Sequence, residues 1–256
     1  MDLSELLGAD YLGKREETCE KHGPYHSDGQ KFGKRDIWSG CEACIADRRA
    51  AEAREAEAQR RAARLSHAMN RSCIPPRFDG KTFENYTADN EQRGRALKTC
   101  KEYAEQFDDR QDEGPSLILC GRPGTGKTHL ACAIADHLIH NGKFAVFSRV
   151  FDAVRTIKST WSKNSEMTEA EAIRSFISPD LLILDEVGVQ FGSESEMLFL
   201  FEIINGRYEA VKPTVIISNL PIGELKNFIG ERVMDRLREG GGKYIAFDWD
   251  SFRGQA

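Results

Sequence analysis

The chain has 256 residues, of which 40% are hydrophobic and 30% charged, with a formal net charge of -5. That length suits one domain of ordinary size plus a smaller attachment, and the apolar content excludes wholesale disorder. The acidic balance excludes a nucleic-acid binder held by bulk charge, so any DNA contact must come from a local patch.

Residues 1–17 lack the basic start and apolar run of a secretory signal. No stretch approaches the roughly 18 apolar residues of a membrane span. A cytoplasmic protein with no membrane partner is expected. The seven cysteines, an odd number without an export signal, are expected as reduced thiols. Three of them crowd into residues 1–45, where Cys19-Glu-Lys-His22 and Cys41-Glu-Ala-Cys44 form C-x-x-H and C-x-x-C knuckles. Tetrahedral Zn²⁺ needs four soft or borderline ligands, and two short knuckles supply them. A segment this small can hardly build a core, so the metal would supply its folding energy. With four positions filled, such a zinc is structural. His26 is an alternative to His22, and a loop with free cysteines is the alternative to a metal module.

Residues 45–69 are dominated by Ala, Arg and Glu without Gly or Pro, which predicts one helix. Only Ile45, Leu65 and Met69 interrupt its polarity, so it reads as an exposed spacer or a partner surface. Asn70 to Pro76 break it, since Pro75-Pro76 cannot continue a helix. The expected division is a zinc-ribbon-like module (1–45), a helix and linker (46–77) and a larger domain (78–256).

That domain alternates apolar runs with helical segments. Buried strands are expected at 116–121, 144–148, 181–186, 214–219 and 244–249. Helices are expected at about 88–108, 127–141, 150–162, 168–177, 194–211 and 222–239. The pattern predicts an α/β fold: a parallel five-stranded sheet covered by helices on both faces.

Between the first strand and its helix stands Gly121-Arg122-Pro123-Gly124-Thr125-Gly126-Lys127-Thr128, followed by His129. This fits the phosphate-binding P-loop in the context that mechanism requires. Glycines let backbone N–H groups turn inward around phosphates, and the helix N-terminus favours the anion. Lys127 is expected at the β- and γ-phosphates of ATP and the Thr128 hydroxyl on Mg²⁺. The run Leu181-Leu-Ile-Leu-Asp185-Glu186 delivers two carboxylates at a strand's C-terminal end, the edge where such sheets bind ligands. Asp185 is expected to hold Mg²⁺ through water and Glu186 to act as general base on the attacking water. Asn219, closing the next strand, could orient that water or simply form a turn before Pro221. Within Gly230–Arg238, Arg232 and Arg236 share one helix face and Val233 and Leu237 another. The basic face is either solvated or an arginine finger offered to a neighbouring subunit's ATP. Arg253 could reach its own subunit's nucleotide.

The strings RSCIPPRFDGKTFENY, GRPGTGKTHLA, LDEVGVQ, GERVMDRLREGGG and FDWDSFRG resemble the DnaC-type replicative helicase loaders, over about residues 71–254. The IstB transposition ATPases share the general plan. The resemblance implies a three-layer AAA+ ATPase domain without a separate lid. It implies a slow, partner-stimulated ATPase that works as a homo-oligomer and delivers a hexameric helicase onto single-stranded DNA. It makes Arg236 the arginine finger and puts Arg253 at the second-sensor position. It also lends support to Arg149, Phe151, Arg155, Lys158, Trp161 and Lys163 as a single-stranded DNA contact, basic and aromatic together. The same residues read equally as an amphipathic helix with core aromatics. Rival functions are a transposition-associated ATPase and a nucleotide-gated adaptor with little hydrolysis.

Overall fold

The computed structural model describes residues 10–189 and 194–252, with the backbone alone at 58–71 and 194. The chain divides into two compact units, Met1–Arg64 and Leu65–Ala256.

The first unit opens with an antiparallel sheet of β1 (Asp10–Cys19), β2 (Gly23–Phe32) and β3 (Arg35–Trp38), in that order. These strands are a finding that the polar sequence did not announce. Ser27 is fully buried, and its hydroxyl donates to the Ser39 carbonyl at 2.6 Å, tying β2 to the chain entering the next helix. That helix, α1 (Glu42–Arg71), extends the expected 45–69 at both ends.

The second unit is built on β4 (Leu117–Gly121), β5 (Ala145–Arg149), β6 (Leu181–Asp185), β7 (Thr214–Ser218) and β8 (Lys243–Phe247). They pair in the order β5-β6-β7-β4-β8, every pairing parallel. Alternate residues point to opposite faces. Leu117, Leu119, Ile183, Val215 and Ile217 join one core with α2 (Glu91–Glu105) and α3 (Lys127–His140). Ile118, Cys120, Leu182, Leu184 and Ile216 join the other core. There they meet α4 (Val150–Ser159), α5 (Glu169–Ile177), α6 (Glu194–Glu209), α7 (Ile222–Ile229) and α8 (Glu231–Arg238). Burial on both faces is why β4, β6 and β7 read as continuous apolar runs. The expected three-layer α/β/α architecture is observed.

Helix ends follow local chemistry. The Asn90 side chain accepts from the Arg93 amide at 2.9 Å and starts α2. Thr168 and Glu171 form a reciprocal capping box that starts α5. The single helix expected over 222–239 is instead two. Gly230, at φ 84° and ψ 155°, occupies a region essentially open to glycine alone, and the chain turns there between α7 and α8.

Arg207 on α6 is completely buried. It donates to the carbonyls of Phe176, Ile177, Pro179, Asp180 and Pro213 and to the Thr214 hydroxyl, which ties α5 and α6 to the start of β7. Burial pushes its pKa down, and the ring of acceptors offsets that cost. Arg207→Met is expected to leave these carbonyls unpaired and to lower stability by about 3 kcal/mol or more. That is a loss of roughly 6–12 °C in Tm for a domain of this size, readable by thermal denaturation.

Candidate functional site

The expected P-loop leaves β4 and enters α3 at Lys127, so the N-terminal amides and dipole of α3 face the loop. Gly126 has φ 97°, and a Cβ there would come within 2.7 Å of the Tyr86 ring, so both backbone and space demand glycine. Thr125 is buried, and its hydroxyl donates to the Arg122 carbonyl at 2.8 Å. The Lys127 ammonium is drawn into the loop, 2.8 Å from the Gly121 carbonyl and 2.6 Å from that of Arg122. The segment after β8 grips the loop from outside. Trp249 Nε1 donates to the Thr125 carbonyl at 2.9 Å, and the Phe252 amide donates to the Gly124 carbonyl at 2.9 Å.

The C-terminal end of β6 brings the two expected carboxylates to this loop. Thr128 Oγ1 donates to Asp185 Oδ2 at 3.1 Å, so hydroxyl and carboxylate sit together as a Mg²⁺ site requires. Burial pushes the Asp185 carboxyl up, while the Glu186 amide at 2.7 Å and Thr128 pull it down. Glu186 has φ 63°, a left-handed conformation for a non-glycine residue. Its neighbours hold it there. The Val187 amide donates to the Ile217 carbonyl at 3.0 Å, and the Ser218 hydroxyl donates to the Val187 carbonyl at 2.6 Å. Arg149 Nε at the end of β5 lies 3.9 Å from Glu186 Oε2, a neighbour the sequence did not announce. Glu186 and Asn219 are exposed and line, with Lys127, Thr128 and Asp185, one cavity of about 520 Å³. His129 lines the same cavity, but its Nε2 lies 3.0 Å from the Thr82 carbonyl.

Arg236 is elsewhere. Its guanidinium sits 5.3 Å from the Tyr208 ring and 5.5 Å from that of Phe201, with Nη1 buried and unpartnered among the described residues. It lines a cavity of about 400 Å³ with Ser116 and Thr214, at the N-terminal ends of β4 and β7. The P-loop follows the C-terminal end of β4, so Arg236 and the chain's own phosphate site occupy opposite sheet edges. Arg253 lies outside the described residues. On α4, Val150, Ala153, Val154 and Ile157 form the buried face. Phe151 and Trp161 are exposed rather than core, and the Arg155 guanidinium lies 4.6 Å from the Phe151 ring centroid. Lys158 is engaged in an ion pair with Glu196 at 2.9 Å.

In the first unit, Cys19, His22, Cys41 and Cys44 converge, their ligand atoms all within 4.8 Å of one another. His22 Nδ1 lies 3.8, 3.7 and 3.3 Å from the sulfurs of Cys19, Cys41 and Cys44. His26, on an exposed position of β2, is not among them. The spacing suits a small tetrahedral ion with metal–ligand bonds near 2.0–2.3 Å. His22 Nε2 faces Asp47 Oδ2 at 3.3 Å, a placement in which an outer carboxylate could orient the imidazole if it ligated a metal. Sequence spacing held a hint of this partner: Asp47 follows Cys44 by three positions, on the same face of α1. The amides of Lys21 and His22 hold the Cys19 thiol well below its ordinary pKa.

The chain matches the family described as IstB-like ATP binding protein over residues 48–238. It is 37% identical over 195 residues to the replicative helicase loader DnaC of Buchnera aphidicola subsp. Schizaphis graminum, covering 76% of this chain and 78% of that protein. It is 36% identical over 197 residues to DnaC of Escherichia coli K12, covering 77% and 79%. A crystal structure of the DnaC helicase loader superposes with a TM-score of 0.60 at 23% identity, covering 68% of this chain and all of that one, and supports the fold. Among the described residues no helix is long and apolar enough to cross a membrane. Motif geometry, family profile and relatives agree: the chain belongs to the DnaC/IstB-like family of AAA+ ATP-binding proteins.

Proposed function

We propose that this protein is an ATP-dependent loader that delivers a hexameric replicative helicase onto single-stranded DNA. The observation that carries the reading is the similarity to helicase loaders across three quarters of the chain, coupled to an assembled phosphate site. ATP phosphates would lie along residues 121–129, with Lys127 neutralising the β- and γ-oxygens. Thr128 and Asp185 would hold Mg²⁺, which when bound offsets phosphate charge. Glu186 accepts the proton of the attacking water, and Asn219 helps orient that water. Arg236, remote from its own phosphate site, serves the ATP of the next subunit in a homo-oligomer. The exposed Phe151 beside Arg155 offers stacking and charge to a single strand. A zinc ion on Cys19, His22, Cys41 and Cys44 shapes the N-terminal module, which together with α1 engages the helicase. These activities belong in the cytoplasm.

The test is to mix the protein with its host's hexameric helicase and measure complex mass and loading onto single-stranded DNA, with and without ATP. A stable complex is expected, with loading impaired by Lys127→Ala and by Arg236→Ala. Arg236→Ala is expected to leave nucleotide binding by isolated subunits intact. Absence of any complex in every nucleotide state would remove the loader reading and leave a transposition-type ATPase.

A further inference from the structure

Arg236 carries its charge without an ion pair. Its guanidinium is half-buried, and among the described residues no carboxylate pairs with it. What faces it instead is aromatic: Tyr208 at 5.3 Å and Phe201 at 5.5 Å, on one face of α6.

This is not for want of acids nearby. Asp112, Glu113, Glu209 and Glu239 all line the cavity that Arg236 lines. Three of these four are engaged elsewhere. Glu113 pairs with Arg110 at 2.7 Å, and Glu209 accepts from Asn205 Nδ2 at 2.8 Å. Glu239, which caps the C-terminal end of Arg236's own helix, accepts from the Tyr208 hydroxyl at 2.7 Å. That carboxylate pushes the Tyr208 phenol above its ordinary pKa, so the hydroxyl keeps its proton and donates.

The arrangement suits a guanidinium that must act on something outside its own subunit. A carboxylate at home would hold its N–H donors in an ion pair, which would have to be broken before they reached a phosphate. The face of an aromatic ring attracts the cation through its quadrupole and leaves those donors free. Tyr208 contributes to both halves of this balance, with its ring toward the guanidinium and its hydroxyl on the acid at the end of α8.

We propose that Tyr208 is a positioning residue for Arg236: its ring holds the guanidinium, and its hydroxyl keeps Glu239 from pairing with it. The proposal rests on the reading of Arg236 as the group that serves a neighbouring subunit's ATP.

The measurement is steady-state phosphate release by the full-length protein with its host's helicase and single-stranded DNA, beside fluorescent-nucleotide titration of each variant alone. Tyr208→Leu is expected to lower kcat about fivefold, with KM and the nucleotide affinity of the isolated protein unchanged. Tyr208→Phe keeps the ring and releases Glu239. A smaller loss of about two- to threefold is expected, and adding Glu239→Gln should restore wild-type turnover. In an Arg236→Ala background neither Tyr208 substitution should lower turnover further. Tyr208→Phe, which removes one oxygen from an exposed side chain, carries the test if Tyr208→Leu does not fold. Equal losses with and without Arg236 would overturn the proposal, because Tyr208 would then act through the fold of α6. So would wild-type turnover in Tyr208→Leu, or a Tyr208→Phe deficit that Glu239→Gln leaves in place. If Arg236→Ala itself hydrolyses ATP like wild type, the arginine-finger reading falls and this proposal with it. A deficit in Arg236→Ala with none in the Tyr208 variants keeps that reading and removes Tyr208 alone.

Discussion

Replacing Glu186 with glutamine is expected to lower ATP turnover by roughly 10²–10³-fold while leaving ATP binding close to wild type, the signature of a lost general base. The structure gives the reason. Glu186 follows directly from the buried β6, yet it is exposed and bears a left-handed φ of 63°. Such a conformation costs of order 1–3 kcal/mol at a non-glycine residue and persists where surrounding contacts impose it. Here the Asp185 carboxylate accepts its amide, and the next residue is fixed on both sides by Ile217 and Ser218. The effect is to turn one acid into the cavity beside Thr128 and leave the next facing water. Glutamine keeps the size and polarity of the side chain but cannot accept the proton. Phosphate release under steady state, measured with and without helicase and single-stranded DNA, reads the rate, and fluorescent-nucleotide titration reads the affinity. A variant with wild-type turnover would remove Glu186 from the chemistry. Weakened binding equal to the loss in rate would make it a binding residue.

The site was largely legible in sequence because its parts are contiguous. One loop carries the glycines and Lys127, and one strand carries Asp185 and Glu186. Each lies next to a run such as Leu181–Leu184, apolar on both faces because the sheet is covered on both. What the sequence hid depends on contacts between distant segments. Tyr86 reads as one more aromatic until the fold sets it against Gly126. Arg207 reads as a surface charge near a helix end, and only the fold surrounds it with five carbonyls from the end of α5, the segment leading into β6 and the residue before β7. Strands β1 to β3 gave no signal because β1 and β3 are mostly exposed and the buried positions of β2, Ser27 and Gly29, are small or polar, so no alternation of polar and apolar residue types appears. Gly230 gave an ambiguous one. Glycine inside a helical pattern is tolerated at modest cost, and nothing local shows that its φ is positive.

The remoteness of Arg236 from its own P-loop bears on assembly. An arginine that neutralises γ-phosphate charge must reach it, and a guanidinium at the opposite edge of the sheet cannot do so within one subunit. Its guanidinium lies 5.5 Å from the Phe201 ring and 5.3 Å from that of Tyr208, half-buried, with Nη1 enclosed and unpartnered among the described residues. Catalysis in this architecture would then be a property of the oligomer, which is how loading could be coupled to hydrolysis.

Removing the metal should have the larger structural effect. Cys44→Ser, or chelation of the wild type, is expected to strip about one equivalent of zinc and collapse amide-exchange protection across β1, β2 and β3. The Arg207-centred core of the second unit should retain its unfolding midpoint. The first unit has little else to hold it: β1 and β3 are mostly exposed, and among its described residues the buried side chains are those of Ser27 and Cys41. Metal binding worth about 10–16 kcal/mol in small zinc modules would exceed anything that surface can contribute. The four candidate ligand positions can be separated by variants. His22→Ala is expected to lose zinc and His26→Ala to keep it, because His22 Nδ1 alone of the two faces the sulfurs. Asp47→Asn is expected to weaken zinc about 10–100-fold without abolishing it, by removing the carboxylate that orients the His22 ring. Elemental analysis and competition with a chromogenic chelator measure both. A full-length protein isolated without metal, or a Cys44→Ser variant with intact protection in β1 to β3, would show that hydrogen bonds such as Ser27 to Ser39 suffice to hold the sheet. Retained helicase binding by a zinc-free protein would separate the module's folding from the loader activity and move the helicase contact onto α1 or the second unit.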